Sequence, residues 1–200
     1  FFDSDLMMRT HVQKVVARCF AALRQIRQIR HFLTPDTLRT LITALVLSRL
    51  DYGNSVLVGL PAYLVQRLQS VLNASARLIY RLRRSDHITD TLICLHWLRV
   101  TERVNFKIAV LTYKLLHGAA PTYLGPLTRV SEQSGTRHLR SADLGRLVVP
   151  PHKLSTAGAR AFSVAAPSLW NCLPLDVTSA PSVSVFRKRL KTFLFRFSFC

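Results

Sequence analysis

PAYLVQRLQSVLNASARLIYRLRR, residues 61–84, decides how the chain folds. Leu64, Val65, Leu68, Val71, Leu72, Leu78, Ile79 and Leu82 recur at three- and four-residue spacing, which places them on one stripe of an α-helix. Pro61 stands where a helix tolerates proline, at its opening. Arg77, Arg81, Arg83 and Arg84 are massed at the C-terminal end, where the helix dipole favours cations. An amphipathic helix of this length must bury its stripe against other helices, so a bundle follows.

The partners lie on both sides in sequence. Val12, Val15, Val16, Cys19, Phe20, Leu23 and Ile26 form an apolar stripe whose outer side carries Lys14, Arg18, Arg24 and Arg27. Thr34-Pro35-Asp36 reads as a helix start: Thr caps, Pro occupies the first turn, and Asp suits the positive dipole end. That helix would turn Leu38, Leu41, Ile42, Leu45 and Val46 inward and stop near Asp51-Tyr52-Gly53-Asn54. A short helix is predicted within 88–97, and a long one from about Thr101 to His117, closed by Gly118.

Seven of the nine prolines lie beyond Gly118, so long helices cannot thread that region. The reading there is a polar loop over 131–143, a short strand or hairpin at Leu147-Val148-Val149, and a short helix over 159–171 bent or interrupted at Pro167. A terminal amphipathic helix brings Phe186, Leu190, Phe193, Leu194 and Phe197 together. The expected fold class is mainly α: a helical, thumb-like bundle, then a Pro-rich, mixed C-terminal region ending in that helix. The predicted divisions are 1–84, 85–118 and 119–200.

Lys and Arg total 28 against 10 Asp and Glu, a formal net charge of +18 on 200 residues. A polyanion is the simplest partner for such an excess. Charged helix faces normally mix signs, yet from Leu144 onward eight cations meet one acid, Asp176. Cys19, Cys94, Cys172 and Cys200 are too far apart to frame a small disulfide scaffold and read as reduced thiols of a cytoplasmic or nuclear protein. The chain opens without an initiator Met or a signal-peptide pattern, as a piece of something longer would. The most apolar window, Leu38 to Leu60, is broken by Arg39, Arg49 and Asp51, so no transmembrane segment is predicted.

Catalytic chemistry finds no foothold. Asp86, His87, Asp90, Cys94 and His96 lack ligand spacing, with His96 better read as a partly buried imidazole. Asp3 and Asp5 form an isolated Asp-x-Asp pair, better read as turn residues than as metal-binding carboxylates. No Gly-rich phosphate loop and no nucleophile motif is present. Neither cofactor nor metal nor small-molecule substrate is expected.

Nine stretches, in order, resemble one family. They are 47–55 (LSRLDYGNS), 95–100 (LHWLRV), 106–107 (FK), 113–114 (YK), 120–124 (APTYL), 139–142 (LRSA), 148–150 (VVP), 158–174 (GARAFSVAAPSLWNCLP) and 186–195 (FRKRLKTFLF). Together they are similar to the C-terminal part of the reverse transcriptase polyprotein of vertebrate-type non-long-terminal-repeat (LINE) retrotransposons, over essentially the whole chain. Arg99 departs from the pattern, which usually has Pro there. The resemblance implies that residues 1–84 hold the end of the palm and the thumb, and that the rest is a family-specific region. The family's catalytic aspartates lie upstream in a motif this sequence does not contain, so the fragment is expected to be no enzyme, although its parent would be an RNA-directed DNA polymerase. Its thumb would grip template–primer RNA or an RNA–DNA duplex without reading sequence.

Three clusters are candidate phosphate contacts: Arg24, Arg27 and Arg30; Arg77, Arg81, Arg83 and Arg84; and Arg187, Lys188 and Lys191. The alternative is a helical protein–protein module whose apolar faces, 38–50 and 186–197, dock on the palm domain or on a second copy. A further possibility is attachment of the last, basic and Phe-rich helix to anionic lipid. Trp170 has two readings: part of an aromatic plug with Phe162, Val164, Leu169 and Leu173, which is preferred, or an exposed platform for a base.

Overall fold

The computed structural model describes residues 8–132, 145–154 and 158–199. It is mainly α, with nine α-helices and no sheet among the described residues. Two compact units divide between Arg103 and Val104. Asp3, Asp5, Cys200 and most of the expected 131–143 loop lie outside the described residues.

The first unit holds α1 (Arg9–Ile29), α2 (Pro35–Ile42), α3 (Ser48–Asp51), α4 (Ala62–Tyr80) and α5 (Thr89–Cys94). It also includes the first residues of α6 (Val100–Leu116). α1 packs on α4 as their stripes demand: Val12, Cys19, Leu23 and Ile26 are buried on one, Leu64, Leu68, Val71, Leu72 and Leu78 on the other. Ser75 sits in the same buried stripe and keeps its hydroxyl satisfied by donating to the Val71 carbonyl at 2.8 Å. Thr34 caps α2 as expected, its Oγ1 accepting from the Thr37 N–H at 3.2 Å.

Between α2 and α3 the rod does not break but widens into a π-helical segment, Thr43–Leu47, and the Ser48 N–H reaches back five residues to the Thr43 carbonyl. The extra residue rotates the downstream apolar face. Leu45, expected inward, is therefore exposed, while Val46 and Leu50 are buried. Asp51, closing the rod, accepts from Arg103: Arg103 Nε lies 2.8 Å from Oδ1, and Nη2 bonds Oδ2. This two-point pair is half-shielded from water, so replacing Asp51 with Ala should cost about 1–2 kcal/mol after allowance for its exposure. Urea unfolding with Asp51→Asn alongside measures it, because Asn keeps one acceptor and should lose less.

Helix ends use left-handed residues. Arg81, at φ 57°, stops α4, and the Leu82 N–H closes the turn on the Arg77 carbonyl at 3.1 Å. Leu82, Arg83 and Arg84, read from sequence as a continuation of the helix, thus belong to the following turn, where Asp86 accepts from the Arg83 backbone N–H at 2.7 Å. His96, at φ 52°, ends α5 in the same way, and it is exposed rather than partly buried. Gln69 Oε1 accepts from the Val100 N–H at 2.9 Å, satisfying a donor at the start of α6 from a neighbouring helix.

Burial pushes the Cys19 thiol above the ordinary cysteine range, an effect that Arg49 opposes more weakly. Cys94 and Cys172 are exposed. Brief alkylation of the native chain at mildly alkaline pH should therefore mark Cys94 and Cys172 and spare Cys19, which peptide mapping would read directly. Because the folded pKa is raised, Cys19 contributes stability that is intact below the unfolded thiol's pKa and fades as pH climbs through the folded value.

The second unit contains the remainder of α6 with α7 (Phe162–Asn171), α8 (Leu175–Thr178) and α9 (Val183–Phe199). Phe186, fully buried, stacks on Tyr113 at 4.4 Å and on Trp170 at 5.8 Å between centroids. The Tyr113 hydroxyl donates to the Ala180 carbonyl at 2.7 Å, and the Trp170 indole N–H to the Gly145 carbonyl at 3.2 Å. Trp170 is thus the plug rather than a platform, at 5% exposure. α7 continues through Pro167, which has no N–H to donate to the Ser163 carbonyl.

The predicted strand at 147–149 reduces to one antiparallel bridge, Arg129 to Leu147. Its physical reason is visible: the Asn171 side-chain amide accepts from the Leu147 N–H and donates to the Leu147 carbonyl, both at 2.9 Å, filling the place of a second strand. Pro150 and Pro151 then prevent extension. On α9, Phe186, Leu190 and Leu194 are buried, but Phe197, read as inward, is 76% exposed. Among the described residues no helix is long and apolar enough to cross a membrane.

Candidate nucleic-acid interface

The C-terminal parts of α1 and α4 meet side by side and leave a groove of about 340 Å³. Six arginines line it: Arg24, Arg27 and Arg30 from α1 and its end, and Arg77, Arg81 and Arg84 from α4 and the turn beyond. Its apolar lining is Phe20, Leu23, Ala74, Leu78 and Leu82. Two clusters separated by some fifty residues in sequence are therefore brought into one concave site. Arg83, the remaining candidate of this end, is exposed but does not line the groove.

Helical spacing explains the geometry. Arg24, Arg27 and Arg30 (three residues apart) descend one side of α1, and Arg77 and Arg81 (four apart) descend one side of α4. Both helices end here, so two negative dipole ends face the same cations and favour their concentration. Like charges at this density still repel, and no carboxylate relieves them: none of the six forms an ion pair with an acid among the described residues. Arg77 donates through Nη2 to the Asp86 carbonyl at 3.4 Å. Nε of Arg30 and Nε of Arg77 are shielded from solvent and have no hydrogen-bond partner.

Arg81 adds a second cost. A side chain in the left-handed region is disfavoured by about 1–2 kcal/mol relative to right-handed helix, and glycine is the usual occupant of such a helix end.

The third cluster is separate. Arg187, Lys188 and Lys191 are exposed on α9 in the second unit, opposite its buried stripe. A larger groove, about 660 Å³, lies on another side of α1 and is lined by Lys14, Arg18, Leu45, Arg49 and Tyr52 among others. It contains none of the candidate phosphate contacts, and it is mixed in character where the smaller groove is ringed by guanidinium groups. Among the described residues no group of three or more His, Cys, Asp or Glu side chains could hold a metal ion. Comparison of the chain with protein-family models, curated proteins and solved structures finds no match.

Proposed function

We propose that the first unit is a thumb-like module of a retroelement-type reverse transcriptase, binding RNA or an RNA–DNA duplex through phosphate contacts and carrying no catalysis of its own. The observation that supports this reading is the convergence of six arginines, none paired with an acid, on one groove. Guanidinium forks match phosphate oxygens two bonds at a time, and the exposed Arg24, Arg27, Arg81 and Arg84 present such forks along the groove. Such contacts grip a backbone and ignore sequence. The parent enzyme, and a palm domain as the neighbour, are what the resemblance of the chain to the LINE family implies.

Binding of labelled RNA of unrelated sequences, titrated with salt, tests it. Six phosphate contacts predict a fall of log affinity against log salt with a slope of about five for a duplex, equal across sequences. A flat response, or a strong dependence on sequence, would overturn it. Docking of the apolar faces onto a palm domain or a second copy is the weaker reading, because Leu38, Ile42, Val46, Leu50, Phe186, Leu190 and Leu194 are already buried.

A further inference from the structure

We infer that the arginine groove is built for an unpaired strand, with its bases stacked on aromatic side chains that flank the cations. This rests on the phosphate-binding reading above and narrows its ligand. A duplex hides its bases and offers a protein phosphates and sugar edges, so it gives aromatic side chains little to hold. The first unit nevertheless places one aromatic ring in the groove and two more next to its arginines in sequence. Phe20 lines it directly and is partly exposed. Phe32, two residues beyond Arg30, is 89% exposed, and Tyr80, immediately before Arg81, is 46% exposed. Phe32 follows the end of α1 and Tyr80 is the last residue of α4, the two helices whose ends carry the cations.

An exposed Phe has a hydration cost and no stabilising role in the fold, since nothing covers it. A single exposed apolar residue is ordinary. Two aromatic rings at the ends of the two segments that supply the arginines form a pattern with a chemical use: a basic track for the backbone and planar faces for successive bases. Leu82, partly exposed beside Phe20, gives the same groove an apolar wall that sugar and base carbons could cover and phosphate could not. The ligand class is therefore single-stranded or frayed RNA or DNA, such as a strand end held beside a duplex.

The test compares the full chain on a labelled RNA of about fifteen nucleotides with the same strand annealed to its complement, at fixed salt. The unpaired strand should bind about fivefold to tenfold tighter. Phe32→Ala and Tyr80→Ala should each weaken the unpaired strand about fivefold and leave the duplex unchanged, and Phe32→Trp should restore binding. Both positions are exposed, so these variants fold. Equal or tighter binding of the duplex, or equal losses on both ligands, would overturn this inference while salt-dependent binding left the phosphate reading standing. Absence of binding to either ligand would overturn both.

Discussion

Replacing Arg24 and Arg27 with Gln and Arg81 with Gly in one chain lowers affinity for RNA on the order of 100-fold at about 0.1 M salt, and flattens the salt slope by two to three. The same variant should be no less stable than the parent. Gln and Arg have similar helix propensity at the exposed positions 24 and 27, while Gly relieves the left-handed strain at position 81 and should add about 1 kcal/mol. Binding and stability thus move in opposite directions. A role for Arg81 in the fold alone predicts that they move together, and urea unfolding beside a salt titration separates the two. Unchanged affinity in a folded variant would remove the groove from consideration.

Phe186→Ala should have the largest effect on the second unit, a loss of about 3–5 kcal/mol. The ring is fully buried and touches both Tyr113 and Trp170, so its removal opens a cavity between two further aromatic groups that cannot close over it. Tyr113→Phe is the control: it keeps the stack and removes the hydroxyl, leaving the Ala180 carbonyl without its donor, for about 1–2 kcal/mol. Urea unfolding measures both losses, and Trp170 fluorescence should shift in Phe186→Ala and much less in Tyr113→Phe, since only Phe186 stacks on the indole. A small loss for Phe186→Ala would mean that the aromatic plug does not organise this unit.

The helices were legible because their apolar stripes are long and regular: α1, α4, α6 and α9 begin and end within a few residues of where periodicity, caps and glycine place them. Two kinds of feature were not. The π segment at Thr43–Leu47 leaves no mark in composition, since Leu45 and Val46 look equally apolar and the decision between them is made by packing. The partnership of Asn171 with Leu147 joins residues 24 apart through a side-chain amide, and no local signal announces it. The arginine clusters were legible one by one, but that Arg24, Arg27 and Arg30 share a groove with Arg77, Arg81 and Arg84 follows only from the way α1 lies along α4. The left-handed Arg81 was equally hidden, because sequence signals for a helix stop favour Gly or Asn.

The widened turn at Thr43–Leu47 constrains the length of the chain there. A helix turns about 100° per residue, so a chain one residue shorter there would form a plain α-helix and swing Leu50 out of the interior and Asp51 away from Arg103. The bulge holds the downstream side chains in phase with the rest of the bundle, so a deletion within it would need a compensating change elsewhere, and the segment limits the lengths this stretch can take.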